Sequence, residues 1–263
     1  MQNYNNNALA YAKYLKGKNV IICGPGANLT NKKMGNKINN YDVIVRMNNS
    51  YPVNIVNKLN NADVGIRTDV LYHTGAICTC LKQAANQYNM GRIELLVNDK
   101  IKWFISKRDP IKGNKRDREF LNKFLKLHDA YEKKYNKNIK LVPVFNEFLG
   151  DLQNILKHTD PNMSTIAITH LLTFDIKTLE IIGCDFYSSG YHRYYTLPSH
   201  IKWDSKTKSL VRKDDKKRRT PKIPHDYNIQ VEFLIDIIKN DDRVKINPSI
   251  LEKWKKHIKG VQL

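Results

Sequence analysis

The residues that could do chemistry crowd around Gly183. An apolar run from Leu179 to Ile182 ends on that glycine, and Asp185, Tyr187, Tyr191, Tyr194 and Tyr195 follow just beyond it. In an open α/β sheet, ligands bind outside the carboxyl ends of the strands, so this exit is where a reaction is expected. The alternative is that the tyrosines are half-buried packing groups with wet hydroxyls. A second candidate is the turn Gly24-Pro25-Gly26-Ala27-Asn28 after the apolar run Asn19 to Cys23. A glycine-rich turn between a buried strand and a helix lets the backbone approach a phosphate or ribose and aims N–H groups at it, although the same residues also make a plain turn.

The elements that must position these residues alternate. Strands are expected at Asn19 to Cys23, at Tyr41 to Met47 leading to Asn48, and at Asp69 to Tyr72 leading to His73. Others are expected near Ile93 to Val97, at Lys102 to Ile105, at Leu141 to Phe145 and at Arg243 to Ile246. Helices are expected over Asn7 to Lys16, Ile77 to Tyr88, Asn114 to Tyr135 and Glu147 to Lys157. In the third of these, Phe120, Phe124, Leu127, Tyr131 and Tyr135 form a core-facing stripe. The apolar helix Ile166 to Phe174 follows Pro161 to Thr165, with Asn162 or Ser164 as its N-cap. It feeds the strand before Gly183, and this β-α-β alternation argues for a mostly parallel, doubly wound α/β sheet in a single domain spanning 1–263.

Composition narrows the classes. Lys plus Arg number 45 against 25 Asp plus Glu, a net charge of +20, which predicts attraction to nucleic acid, a lipid surface or an anionic substrate. The four cysteines, Cys23, Cys78, Cys80 and Cys184, have neither zinc-site spacing nor the density of a disulfide scaffold, so buried thiols are expected at the strand ends. The Asn-rich start does not read as a signal peptide, and no apolar run is long enough to span a membrane. Asn-x-Ser/Thr triplets begin at Asn28, Asn48 and Asn162, where glycans would block the site, so a cytoplasmic location is expected.

From Ile201 to Ile223 the apolar pattern dissolves. Residues 202–222 hold ten Lys and Arg against three Asp, a charge of +7. The segment reads as a solvated insertion, a nucleic-acid-binding patch or a mobile substrate lid over about 190–224. Helix Tyr227 to Lys239 follows. The last segment, Ser249 to Val261, sets Ile250, Trp254, Ile258 and Val261 on one face with lysines largely on others. It is expected to dock on the core, with peripheral contact to an anionic membrane as the alternative.

These pieces, in order, resemble a family. NVIICGPGANL, YDVIVRMNN and VGIRTDVLYHTG resemble the large sialylmotif of the family 29 sialyltransferases, and Met163-Ser164-Thr165 with the following helix and strand resembles their small sialylmotif. IIGCDFYSSGY, Pro224-His225-Asp226 and Ile246-Asn247-Pro248-Ser249 resemble the bacterial family 42 enzymes, so a soluble viral or bacterial member is expected. The resemblance implies a single-domain GT-A-like Rossmann fold and inverting transfer of sialic acid, or a related acidic sugar, from a CMP-sugar to a glycan hydroxyl. It implies no metal and no cofactor beyond the donor, and the sequence has no Asp-x-Asp. By position it makes His225 the general base, and it makes Tyr187 and Tyr191 the hydroxyls that stabilise the leaving CMP phosphate, with Tyr194 a rival for the second role. Gly24, Gly26, Asn28, Asn48, His73, Ser164, Thr165 and Asp185 fall on the donor site, with the helix N-terminus at Ser164 and Thr165 supplying N–H groups to the phosphate.

The chain departs from these families at several places, and the family 29 cysteine pair is not reproduced at matching positions. Pro25 stands where they have an Asn, and it offers neither side-chain amide nor backbone donor. His73 stands where family 42 has an Asn. Arg46, at a strand end, could simply pair with a carboxylate in the fold. The rival functions are a basic nucleic-acid-binding protein, or one that glycosylates nucleic acid, and a relative that binds without catalysing. Against nucleic acid, the basic residues are not interleaved with aromatics for stacking. The basic loop suggests an anionic acceptor or donor.

Overall fold

The computed structural model describes residues 4–48, 50, 62–74, 101–107, 118–119, 122, 125–126, 129–130, 132–133, 139–144, 146–186, 201–204, 209–212 and 226–258, with backbone alone at 201–204, 209–212 and 256–257. Seven strands form one parallel sheet: β1 (Asn19–Cys23), β2 (Val43–Met47), β3 (Val70–His73), β4 (Trp103–Ser106), β5 (Lys140–Pro143), β6 (Thr178–Ile182) and β9 (Val244–Ile246). The order is β5-β4-β3-β2-β1-β6-β9. These strands read as nearly continuous apolar runs because both faces of a parallel sheet are covered. Val20, Ile22, Val43, Val45, Val70, Tyr72, Leu179 and Ile181 face the larger core. Ile21, Cys23, Ile44 and Ile182 face a smaller one with Leu29, Ile38 and Val64.

The helices are α1 (Tyr4–Leu15), α2 (Gly35–Asn39), α3 (Asn146–Ile155), α4 (Met163–Leu172), α5 (Tyr227–Asn240) and α6 (Pro248–His257). The pieces described between 118 and 133 are helical, in line with the long helix expected there, but its aromatic stripe lies outside the described residues. So do the helix expected at Ile77 to Tyr88, the strand near Ile93 to Val97, and Cys78 and Cys80. Helix α6 starts at Pro248 behind its N-cap Asn247, whose side chain accepts from Ser249 N–H. Ile250, Trp254 and Ile258 are buried in the larger core, so the apolar face of α6 is a docking face. Among the described residues, no helix is long and apolar enough to cross a membrane.

One expectation needs correction. The stretch from Ile201 was read as patternless, yet β7 (Ile201–Asp204) and β8 (Ser209–Arg212) form an antiparallel pair, with Ile201 opposite Arg212 and Asp204 opposite Ser209. Ile201 with Trp203, and Leu210 with Val211, are strand formers on either side of a short polar connection, and the charge around them hid that signal. The rest of the proposed lid lies outside the described residues.

The larger core holds a polar chain that sets a pH dependence. The Tyr72 hydroxyl lies 2.8 Å from His170 Nδ1 and 3.5 Å from the Tyr11 hydroxyl. Phe148 and Phe174 pack edge-on against the imidazole. Burial lowers the pKa of His170 to about 4 and that of His73 to about 3. Below about pH 6.5 the unfolded chain therefore takes up protons that the fold refuses. Stability from these groups is fully present above pH 6.5, falls as pH drops, and levels off near the folded values. Urea titrations from pH 6.5 to 4.5 are expected to show that His170→Asn flattens the slope by up to about 1.4 kcal/mol per pH unit. An unchanged slope would mean the ring is protonated in the fold.

Candidate active site

All seven strands of the main sheet run the same way, so their carboxyl ends line one edge. From β1 the chain builds outward through β2 to β5 on one side and places β6 and β9 on the other. The β1 and β6 exits thus flank the point where strand order reverses, the place where open α/β sheets leave a crevice.

Those two exits interlock. Gly24 N–H donates to the Ile182 carbonyl at 2.8 Å and Gly26 N–H to the Gly183 carbonyl at 2.8 Å. The sequence reading aimed the N–H groups of this turn at a ligand; these two serve the neighbouring strand exit. Pro25 sits between them, so its missing N–H interrupts neither bond. The glycines allow close approach: a Cβ on Gly24 would lie 2.4 Å from the Gly183 oxygen, and one on Gly26 2.6 Å from that oxygen and 2.9 Å from Asp185 Oδ1. Asn28 lies in the single turn Ala27–Leu29 that follows, its Oδ1 2.5 Å from that same Cβ position on Gly26.

Helix α4 closes on this crevice by its N-terminus. Asn162 is the N-cap, as the sequence suggested, and its side chain accepts from Thr165 N–H at 2.9 Å. Ser164 hydrogen-bonds the Cys184 thiol, which is also bonded to the Gly24 backbone. Burial nevertheless pushes that thiol well above its ordinary pKa, and it raises Cys23 to about 11. Both cysteines are therefore inert thiols rather than nucleophiles. Thr165 is turned elsewhere: its hydroxyl donates to Gln230 Oε1 at 2.8 Å, which also receives Asn162 N–H at 2.9 Å.

Gln230 is a fully buried polar residue that ties α5 to the start of α4, and the sequence reading missed it. Its only signal was an amide on the otherwise apolar face shared with Val231 and Leu234. Lys107 was missed as well. It follows β4, and its Nζ reaches Asp160 Oδ1 at 2.7 Å and the Pro161 carbonyl at 3.1 Å, fixing the approach to α4.

Asn48 and His73 stand on the same edge at β2 and β3. Asn48 adopts φ +48°, donates its N–H to the Tyr72 carbonyl at 2.8 Å, and accepts Thr74 N–H on Oδ1 at 3.3 Å. His73 is buried and stacked on Phe104 at 5.9 Å, and desolvation keeps its ring neutral. Asp185 is only 1% exposed, with Lys253 Nζ at 3.9 Å from Oδ2. Gly24, Gly26, Asn28, Ser164 and Asp185 therefore gather at the β1 and β6 exits, Asn48 and His73 flank them, and Thr165 points into the α4–α5 contact.

Tyr187, Tyr191, Tyr194 and His225 lie outside the described residues. The residues leading to them do not. Phe186, at φ +50°, packs edge-on against Tyr227 with ring centroids 5.8 Å apart. Asp226 caps α5 by accepting from Asn228 and Ile229 N–H at 3.0 and 3.2 Å. Among the described residues no group of three His, Cys, Asp or Glu is placed to hold a metal ion.

The family model of glycosyltransferase family 29 (sialyltransferase) matches residues 6–169, well over half of the chain. The chain belongs to that family. It is a CMP-sialic acid-dependent glycosyltransferase. The matched stretch runs from α1 into α4 and ends before β6. No curated protein matches the sequence. Among solved structures, two crystal structures of a mammalian sialyltransferase are similar, one of them in complex with Gal-β-1-3GalNAc-ortho-nitrophenol. Each is 12% identical with a TM-score of 0.49, over 94% of this chain and 79% of that chain.

Proposed function

We propose that this sialyltransferase works by inverting, metal-independent transfer of sialic acid, or a related acidic sugar, from a CMP-sugar to a glycan hydroxyl. His225 takes the acceptor proton as the new glycosidic bond forms. The bond from the anomeric carbon to the CMP phosphate breaks on the opposite face, and its electron pair leaves on a phosphate oxygen. Tyr187 and Tyr191 donate hydrogen bonds to that oxygen and its neighbour, with Tyr194 the alternative for the second; fixed donors aimed at developing charge can take the place of a cation. The N-terminus of α4 at Ser164 adds its dipole, and the neutral ring of His73 places no charge beside the donor.

The observation that supports this reading most is the contact between Phe186 and Tyr227. Phe186 directly precedes Tyr187, and Tyr227 stands two residues after His225. The chain segments carrying leaving-group donor and base thus start from one point at the switch crevice, as an in-line displacement requires.

Isothermal titration with CMP, UMP and GMP, with and without EDTA, tests the proposal. CMP is expected to bind with micromolar Kd, ahead of the other two, and with no change after EDTA. Equal affinity for all three would remove the CMP-sugar donor, and binding lost to EDTA and restored by Mg²⁺ would remove metal independence.

A further inference from the structure

Helix α6 reaches the crevice with a side chain that the scheme above leaves without a role. Trp254 is fully buried, and its indole Nε1 donates to the Cys184 carbonyl at 2.7 Å. That carbonyl lies in the β6 exit, between Gly183 at φ +65° and Phe186 at φ +50°. A residue with a Cβ in the left-handed region is strained and persists only where its surroundings over-determine it. Trp254 supplies that constraint at two points. Its N–H holds the backbone before Asp185, and its ring holds Phe186 edge-on at 5.4 Å, after Asp185. The adjacent Lys253 stands 3.9 Å from the Asp185 carboxylate, so α6 flanks that residue closely.

We propose that Trp254 is a positioning residue for sugar transfer: by fixing Cys184 to Phe186, it sets the direction in which the chain enters Tyr187. The inference rests on the function proposed above. An apolar contact with Phe186 would need only a phenylalanine at 254. The indole adds one directed bond, and it falls on the segment whose course decides where the leaving-group donors stand. Hydroxyl donors stabilise developing charge only at hydrogen-bond distance, and a shift of about 1 Å can lose about a hundredfold in rate.

Trp254→Phe keeps a ring and deletes the donor; Ile250→Ala trims another buried side chain of α6, leaves the indole bond to Cys184 available and serves as the comparison. Three quantities are read on each: amide hydrogen exchange of residues 184–186, the Kd for CMP, and kcat and KM for CMP release from CMP-N-acetylneuraminic acid with a panel of β-galactosides. Trp254→Phe is expected to speed exchange at 184–186 by at least about tenfold. It is expected to lower kcat by at least about tenfold while CMP Kd and donor KM stay within about threefold. Ile250→Ala is expected to lower Tm at least as much and leave kcat within about twofold. Unchanged exchange at 184–186, or an equal kcat loss in Ile250→Ala, overturns the proposal. A wild-type protein that releases no CMP counts against the proposed function, and the exchange comparison then decides the placement of the exit by itself.

Discussion

Replacing His225 by alanine is expected to lower the rate of transfer to a glycan hydroxyl by about 10²–10⁴, the range lost with a general base. The Kd for CMP should stay within about threefold, because this role touches the acceptor proton and not the nucleotide. The residue stands just before Asp226, the N-cap of a helix that runs from Tyr227 to Asn240. A base that takes the acceptor proton must itself be unprotonated, so kcat should rise with pH through a single ionisation, and this limb should vanish in the variant. Pre-steady-state transfer, CMP titration and Tm on the same preparation separate the possibilities. Transfer within about threefold of wild type would remove His225 as the base, whereas loss of CMP binding would make it part of the donor site instead.

What was legible in the sequence is what depends on near neighbours. The strands of the main sheet announced themselves as nearly continuous apolar runs, and the N-cap at Asn162 as a small polar residue before an apolar helix. Most of the positions expected at a donor site could be placed at one edge because parallel strands share a carboxyl end, Thr165 being the exception. What escaped depends on partners remote in the chain. The turn at Gly24 and Gly26 reads locally as a cradle, yet its donors are engaged by Ile182 and Gly183. Gln230 looks like an ordinary amide on an amphipathic helix until α4 is laid across it. The fully buried guanidinium of Arg46 donates to the carbonyls of Val64 at 2.5 Å and Arg67 at 3.3 Å and to Thr68 Oγ1 at 3.1 Å, partners 18 to 22 residues away. Backbone carbonyls as partners leave no trace in composition.

The interlock at the switch point makes Gly183→Ala the substitution with the largest expected loss of stability. Two penalties coincide there. Gly183 sits at φ +65°, and a Cβ on it would lie 2.6 Å from the Gly24 carbonyl oxygen and 2.7 Å from Leu29 Cδ1. Two other glycines separate the terms. Gly17 has φ +67° with nothing within 4 Å of its Cβ position, so Gly17→Ala should show the left-handed penalty alone, about 1–2 kcal/mol. Gly24 lies outside the left-handed region but would place its Cβ 2.4 Å from the Gly183 oxygen, so Gly24→Ala should show the overpacking alone, about 1–3 kcal/mol. Gly183→Ala combines both and is expected to cost about 3–5 kcal/mol in urea unfolding, a large share of the ~5–15 kcal/mol that holds a domain together. Because the obstructing atom is backbone, relief requires the β1 and β6 exits to part, and that movement also displaces Asp185 and the start of the tyrosine segment. Whatever folds should therefore bind CMP at least about tenfold more weakly, while Gly17→Ala binds it normally. A Gly183→Ala protein no less stable than Gly17→Ala would show that the exits separate freely, and the glycines would then have to be explained by the ligand rather than by each other.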